Sequence, residues 1–387
     1  MTNFYKIKYS GVIDADGHIL EPPDLWENYL EERYKDRALR IKLDENRLEY
    51  LEIDGAPSIM VARGMPGSLG AMGSAGSGGL RGKPERTYLA MAPFGSMDAG
   101  ERLEMLTAEG LESAVLYPTI GILWEAELND VELTQAYCRA YNRWIVDFCR
   151  GSDDRLIPIA HLSLGDPAAA AAELQRAVAD GCRGAFVVAF TLSRTAHGHT
   201  DHDALFAVAQ DLDVPLAIHP SLEPLDLIPR RFAQYRKARL LQSVTASDGC
   251  RHAFTTFFDF GVFDRFPKLK LVVLESGAGW VGYWLDRLDA VYSHTPIGER
   301  VPLREPPSFY FRRQCFISSD PDENTTPSLI ERFGADRFFW ASDYPHADHT
   351  PDYLQELEGL AGKLDASSRQ RFLGDNVREL YKIDCPR

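Results

Sequence analysis

Clustered positive charge is what this chain most lacks. Its 42 lysines and arginines stand against 57 acidic residues, a net charge of −15, and no basic arm interrupts that balance. A phosphate backbone is held by grouped Lys and Arg, so a nucleic-acid partner is not expected. Long apolar runs are missing too. None approaches the roughly 18 to 20 residues that a membrane helix needs, and the opening residues MTNFYKIKYSG lack the apolar stretch of a signal peptide. The expectation is a soluble, cytoplasmic chain without a membrane partner. Six cysteines, Cys138, Cys149, Cys182, Cys250, Cys315 and Cys385, are scattered and form no C-x-x-C pair, which argues against a disulfide framework or a zinc ribbon. No G-x-S-x-G elbow, no H-E-x-x-H helix and no cysteine with an activating partner occurs, so covalent catalysis is unsupported. The glycine-rich Gly64–Gly79 ends in no Gly-Lys-Ser or Gly-Lys-Thr and does not join a strand directly to a helix. It therefore reads as a mobile lid rather than a phosphate cradle.

What is present is an alternation of short β-rich runs with amphipathic helical stretches, the pattern of βα units around a parallel sheet. Strands are expected at Val12–Asp16, Ser113–Tyr117, Leu156–His161, Gly184–Phe190, Pro215–His219, Leu269–Glu275, Cys315–Ser319 and Phe338–Asp343. Helices are expected at Val131–Arg150, Pro167–Asp180, Asp203–Asp211, Val281–Tyr292 and Pro327–Phe333. With 387 residues and 45% hydrophobic content, this favours an α/β fold of the (β/α)8 TIM-barrel type over an open doubly wound sheet. The expected layout is a single domain over residues 1–387. An insertion at about 36–98 follows the first strand, built from a β-hairpin turning at Asp54-Gly55 and the glycine-rich lid.

Several strands end in groups that bind metals. The run VIDADGHILE closes on Asp14, Asp16 and His18, PLAIHP on His219, and FFWASDYPH on Asp343 and His346. A parallel barrel delivers all its strand ends to one rim, so these groups converge. Asp16 and His18, one residue apart on an extended strand end, point to one face and can grip one ion, and Asp14 shares their parity. The alternative readings are an Asp that caps a turn and a His packed in the core. Oxygen and nitrogen donors without thiolates suit zinc, manganese or iron. The fourth strand, GAFVVAF, has no lysine for a metal-bridging carbamate, so one divalent ion is expected, zinc first and manganese next. His197, His199 and His202 lie in the polar connector TAHGHTDHD, which reads as a solvated loop without a catalytic role.

The segments Asp16-Gly17-His18, Ile218-His219-Pro220, GVFDRFPKLKLVVLESGAGW (Gly261–Trp280) and Ser342-Asp343-Tyr344-Pro345 together resemble one family. It is the amidohydrolase-related 2 branch of the amidohydrolase superfamily, which contains aminocarboxymuconate-semialdehyde decarboxylase and the hydroxybenzoate decarboxylases. The resemblance covers nearly the whole chain. It implies a TIM barrel with one divalent metal, held here by Asp16, His18, His219 and Asp343. Two departures stand out. Several members open with His-x-His or Glu-x-His, where this chain has Asp16-Gly17-His18. The similar decarboxylases also carry a histidine in an HGG-like turn after the sixth strand, where Glu275 stands in ESGAGW.

The resulting functional expectation is a metal-dependent hydrolase that activates water against a small organic substrate, with Asp343 moving the proton and Glu275 and His346 assisting. His161 is a second candidate for the missing imidazole. Glu275 has a structural alternative, accepting the Ser276 and Gly277 amides. Non-oxidative decarboxylation of an aromatic or unsaturated carboxylic acid is the alternative activity, and a catalytically silent, metabolite-binding barrel is the alternative from another class. Arg63, Arg81, Arg194 and Arg230 are available for a substrate carboxylate, and Trp124, Tyr283, Trp284, Trp340 and Tyr344 for a flat ring. A homodimer is expected. Tyr137, Tyr141, Trp144 and Phe148 offer either its interface or packing of their helix on the barrel.

Overall fold

Strands buried on both faces carry largely apolar residues rather than alternating ones, and the eight runs expected as strands are mostly apolar, with polar residues such as Asp14, Asp16, Ser318 and Glu275 entering chiefly toward their carboxyl ends. In a computed structural model describing residues 4–73, 83–227, 239–296 and 301–384, they become part of an eleven-strand set. In chain order the strands are β1 Val12–Ile19, β2 Arg40–Leu43, β3 Glu49–Ile53, β4 Ala56–Pro57, β5 Leu111–Pro118, β6 Leu156–His161, β7 Gly184–Val188, β8 Pro215–His219, β9 Lys270–Val273, β10 Cys315–Ser319 and β11 Phe338–Trp340. Eight of them form one parallel sheet in the order β1-β5-β6-β7-β8-β9-β10-β11. Just past β11 the ring closes, as Asp343 N donates to Asp16 O at 3.0 Å and His18 N donates to Tyr344 O at 2.7 Å. Helices lie between successive strands, among them Val131–Cys149, Pro167–Asp180, Asp203–Asp211, Trp280–His294 and Thr326–Phe333. The architecture is the (β/α)8 barrel.

Two apolar cores follow from strand alternation. Ile13, Val115, Ile157, Ile159, Phe186, Ala217, Val272 and Phe339 fill the barrel interior, joined by Val377, Leu380 and Tyr381 of the helix Asn376–Tyr381. That helix plugs the amino-terminal end, where the Tyr381 ring lies close to Gly184, the first residue of β7. The larger core lies between strands and helices. There Asp130 caps the helix Val131–Cys149 by accepting from Leu133 N, and Tyr137, Tyr141 and Trp144 are buried with Phe148 packed at their edge. This aromatic stripe packs the helix on the barrel.

Strand ends depart from expectation where the backbone turns. The runs ending at Glu275 and Asp343 stop short, at Val273 and Trp340, because Glu275 (φ 41°) and Asp343 (φ 52°) adopt left-handed conformations that cannot extend a ladder. In β1 the register runs Asp14↔Ala114 then Gly17↔Leu116, so one extra residue forms a bulge. The bulge breaks the shared parity of Asp14 with Asp16. Asp14 turns away, accepting Ser342 N at 3.0 Å and the Ser342 hydroxyl at 2.6 Å.

The insertion forms a three-stranded antiparallel sheet, β2-β3-β4. Ile53 pairs with Ala56 across Asp54 (φ 51°) and Gly55 (φ 74°), the expected two-residue turn with both centres left-handed. Of the glycine-rich stretch, residues 74–79 lie outside the described residues. The part before them is packed rather than loose, with residues 66–71 buried. A Cβ on Gly67 would lie 2.0 Å from Arg86 O and one on Gly70 2.6 Å from Leu20 Cδ1, so these glycines permit close approach instead of motion. Met72 N donates to Pro345 O at 3.1 Å, which ties the stretch to the rim.

The polar connector also departs from expectation. His197 and His202 are buried, with His197 Nε2 2.9 Å from Val188 O and His202 Nδ1 2.8 Å from His197 O. Burial pushes the His197 imidazole down to about 4. An unfolded imidazole titrates near 6.5, so between about pH 6.5 and 4 the unfolded chain binds a proton that the folded chain refuses. Stability is therefore full above that window and falls as the pH drops through it, by on the order of 3 kcal/mol. Urea unfolding of His197→Gln is expected to show a flatter pH dependence than the parent over that window, and parallel curves would contradict it.

Candidate active site

Donors from β1, from β8 and from the turn after β11 meet at the carboxyl rim. His18 Nε2 lies 3.5 Å from Asp16 Oδ1, 2.9 Å from Asp343 Oδ1 and 3.3 Å from His219 Nε2. His219 Nε2 lies 3.7 Å from Asp16 Oδ2 and 3.4 Å from Glu275 Oε2. The far nitrogens are fixed by backbone carbonyls, His18 Nδ1 at 2.8 Å from Pro118 O and His219 Nδ1 at 2.6 Å from Pro220 O. A carbonyl only accepts, so both Nδ1 atoms carry protons, and both Nε2 atoms, that of His219 once its second proton leaves, turn lone pairs toward the same point. The carboxylates agree. Among the described residues, both oxygens of Asp16 and of Asp343 are buried without a hydrogen-bond partner. Buried lone pairs pointed at one another without a donor are costly, and a divalent cation at their centre satisfies them together. Asp16, His18, His219 and Asp343 thus fit one such ion.

The electrostatics have the same form. Burial drives His18 down. It also works against a charge on His219, but Asp16 and Glu275 outweigh it and raise that imidazole to about 9. Against burial, His346, His349 and His18 hold Asp343 well below the usual carboxylate range. Burial and then the Asp343 charge push Glu275 well above it. Protons and carboxylates are crowded together here as they are where a metal competes with protons for the same donors.

Glu275 enters the site by its side chain, while Glu323 takes the Ala278 and Gly279 amides and the Glu275 amide donates to Ser318 Oγ at 3.0 Å. His346 joins from the other side, its Nδ1 3.0 Å from Asp343 Oδ1 and its Nε2 3.0 Å from Thr119 Oγ1. Glu21 fixes the turn that carries Thr119, accepting from the Thr119, Ile120 and Gly121 amides at 2.8–3.1 Å.

His161 is held apart from this cluster. It stacks on Phe186 at 4.5 Å and pairs through Nε2 with Glu125 Oε2 at 3.1 Å. Arg63 lies over the Tyr50 ring and Arg194 pairs with Asp226, while Arg81 and Arg230 lie outside the described residues. Trp124 and Trp340 are core, Tyr283 is exposed, Trp284 donates to Thr255 Oγ1, and Tyr344 donates to Phe94 O. None of these aromatics is among the residues that line the cavity over the site.

Two neighbours were not expected from the sequence. His349, in the polar run after Asp343, brings Nδ1 to 2.5 Å from Asp343 Oδ2. Arg102, fully buried on the helix Ala99–Glu109, donates through Nη2 to His18 O and stacks on the Tyr344 ring at 4.9 Å. A cavity of about 250 Å³ opens over the site, lined by Met65, Ser68, Leu69, Thr119, Ile122, Leu123, Glu275, His346, Ala347 and Asp348. The packed glycine-rich stretch forms one of its walls.

A (β/α)8 barrel with Asp-x-His on its first strand, a strand-end histidine and a rim aspartate after its last strand belongs to the class of metal-dependent barrel enzymes. The amidohydrolase family model matches residues 89–383, and the chain belongs to that family. It is 26% identical over 295 residues to gamma-resorcylate decarboxylase of Rhizobium sp. (strain MTP-10005), across 73% of this chain and 86% of that protein. An amidohydrolase structure from Mycobacterium avium subsp. paratuberculosis K-10 superposes with a TM-score of 0.81 at 24% identity, over 96% of this chain and 99% of that one. The 5-carboxyvanillate decarboxylase of Novosphingobium aromaticivorans, solved with manganese and 4-hydroxy-3-methoxy-5-nitrobenzoic acid, gives a TM-score of 0.68 at 18% identity over 99% of both chains. These two likenesses confirm the barrel.

Arg102 supports β1 from behind. Burial pushes Asp14 up to about 6 and Glu109 up to about 7, and the Arg102 charge opposes both shifts. Arg102→Met removes the donor to His18 O and the cation between two buried acids, and is expected to cost about 3 kcal/mol or more. Urea unfolding measures this, and an unchanged midpoint would show that the guanidinium does not hold the strand.

Proposed function

We propose that the chain is a metal-dependent, non-oxidative decarboxylase acting on a small aromatic carboxylic acid. The observation that carries this reading is the pair of buried carboxylates without donors, Asp16 and Asp343, facing the inward lone pairs of His18 and His219. The 26% identity to gamma-resorcylate decarboxylase supports a carboxy-lyase over the hydrolase that residue chemistry alone favoured. When bound, the ion supplies positive charge for the carboxylate or a ring oxygen of the substrate. Manganese in the carboxyvanillate enzyme supports a divalent ion and gives manganese equal standing with zinc.

The remaining roles fall to the chain's own side chains. Met65, Leu69, Ile122 and Leu123 give the cavity an apolar wall against which a flat ring packs. Asp343, Glu275 and His346 surround the bond to be broken, with Glu275 and His346 at the cavity surface. As the bond between ring and carboxyl carbon breaks, its electron pair stays on the ring carbon, carbon dioxide leaves, and one of these groups delivers the proton that replaces it. Hydrolysis is the second reading, favoured by Glu275 standing where similar decarboxylases carry a histidine.

Incubating the manganese- or zinc-loaded enzyme with hydroxybenzoic acids, and measuring carbon dioxide against acid consumed, tests the proposal. One carbon dioxide per acid is expected. Asp16→Ala and Asp343→Asn are each expected to lower turnover by more than about 100-fold while the fold is kept. Cleavage of amides or esters without carbon dioxide would replace this reading with the hydrolytic one.

A further inference from the structure

A second cavity, of about 430 Å³, opens beside Tyr344 and shares no lining residue with the one over the donor cluster. Its wall is rich in aromatic rings. Phe4 and Phe94 pack with ring centroids 5.8 Å apart, Tyr344 and Tyr353 with centroids 6.4 Å apart, and Tyr5 adds a fifth ring. The three tyrosine hydroxyls already have acceptors. Tyr5 donates to Glu358 Oε2 at 3.1 Å, Tyr344 to Phe94 O at 2.7 Å and Tyr353 to Glu109 Oε1 at 2.7 Å. What these residues offer a guest is therefore their rings.

The charged groups in the wall are both acidic. Glu109 is 6% exposed, and its Oε2 has no hydrogen-bond partner among the described residues. Asp352 is exposed in the same wall, and no Lys, Arg or His is among its described residues. Arg102 acts on Glu109 through its charge, but its guanidinium, over the Tyr344 ring at 4.9 Å, leaves Oε2 unbonded. Glu109 also ends the helix Ala99–Glu109, whose last turn has no basic residue, so the negative end of the helix dipole adds to the field.

We propose that this cavity binds a small organic ammonium ion, seated among the Phe4, Phe94, Tyr344 and Tyr353 rings with its charge toward Glu109. Aromatic faces attract a cation, and an alkylated ammonium gives up its water easily enough to enter an apolar wall. A metal ion would exchange its hydration shell for a single buried carboxylate, which is too few ligands. An anion meets two acids, and a neutral apolar guest leaves Oε2 buried without a partner. Burial pushes Glu109 up to about 7, against the Tyr353 hydroxyl and Arg102 and with Asp14 adding to it. A cation beside the carboxyl favours its ionised form, so its arrival completes a pairing that the chain alone leaves open. Tyr344 connects this site to the barrel seam, since its carbonyl accepts from His18 N. The proposal holds whatever reaction the rim performs.

The test is isothermal titration calorimetry of the manganese-loaded, full-length chain with choline chloride, and separately with its uncharged isostere in which carbon replaces nitrogen. At about pH 8 the carboxylate is ionised. One choline per chain is expected with a Kd of about 0.1–1 mM, and the isostere at least about 10-fold weaker. Glu109→Gln keeps the shape and removes the charge, while Phe94→Leu removes one ring at a half-buried position. Each is expected to weaken choline by about 5–20-fold, with the urea unfolding midpoint showing that the fold is kept. No binding by about 10 mM choline would overturn the proposal. So would equal affinity for the isostere, which would mark an apolar cleft only, or an affinity unchanged in either variant, which would place the choline elsewhere.

Discussion

Closure of the barrel between its first and last strands is the constraint on which the rest depends. The bonds that complete the ring, Asp343 N to Asp16 O and His18 N to Tyr344 O, involve three of the residues whose side chains make the donor cluster. Fold and site therefore cannot vary independently. Asp14 and Ser342 brace the same seam one step deeper, and Arg102 ties its outer side to the helix Ala99–Glu109. In a site of crowded lone pairs, rigid backbone on both sides keeps the donors from relaxing apart.

Around this seam the chain divides its labour. The interior below the rim is filled by Tyr117, Phe186 and their neighbours, with Phe186 packed between the rings of His161 and His219, and the helix Asn376–Tyr381 seals the opposite end. This leaves the rim as the reactive surface. The insertion then narrows it, because the close-packed glycines after Gly64 bring Met65, Ser68 and Leu69 against the turn after β5. In the proposed reaction, substrate choice falls to segments that add little to the barrel itself.

Much of this could be read from the residues, because strong local signals coincide with tertiary structure. The bounds of β6, β8 and β10 match the expected runs, since each is a short apolar stretch with a helix or turn signal close by. Asp16, His18, His219, Asp343, Glu275 and His346 come together because strand ends share a rim. What escaped has a physical reason in each case. The β1 bulge that turns Asp14 toward Ser342 follows from pairing with β5, which no local pattern reveals. His349 lies six residues past Asp343 in a polar run, and only folding returns it to the carboxylate. Arg102 comes from a helix with no motif at all. The glycines from Gly64 to Gly73 carry the composition of a flexible loop, yet they are used for close packing, a distinction that depends on partners such as Leu20 and Arg86 elsewhere in the chain.

The central claim is that barrel closure assembles a metal site from Asp16, His18, His219 and Asp343. Anomalous diffraction from crystals grown with manganese, collected on both sides of its absorption edge, tests it most directly. The account predicts a strong peak within bonding distance, about 2.0–2.3 Å, of His18 Nε2, His219 Nε2 and oxygens of Asp16 and Asp343. A well-ordered site with no peak among these four residues, or manganese bound only elsewhere on the chain, would contradict it.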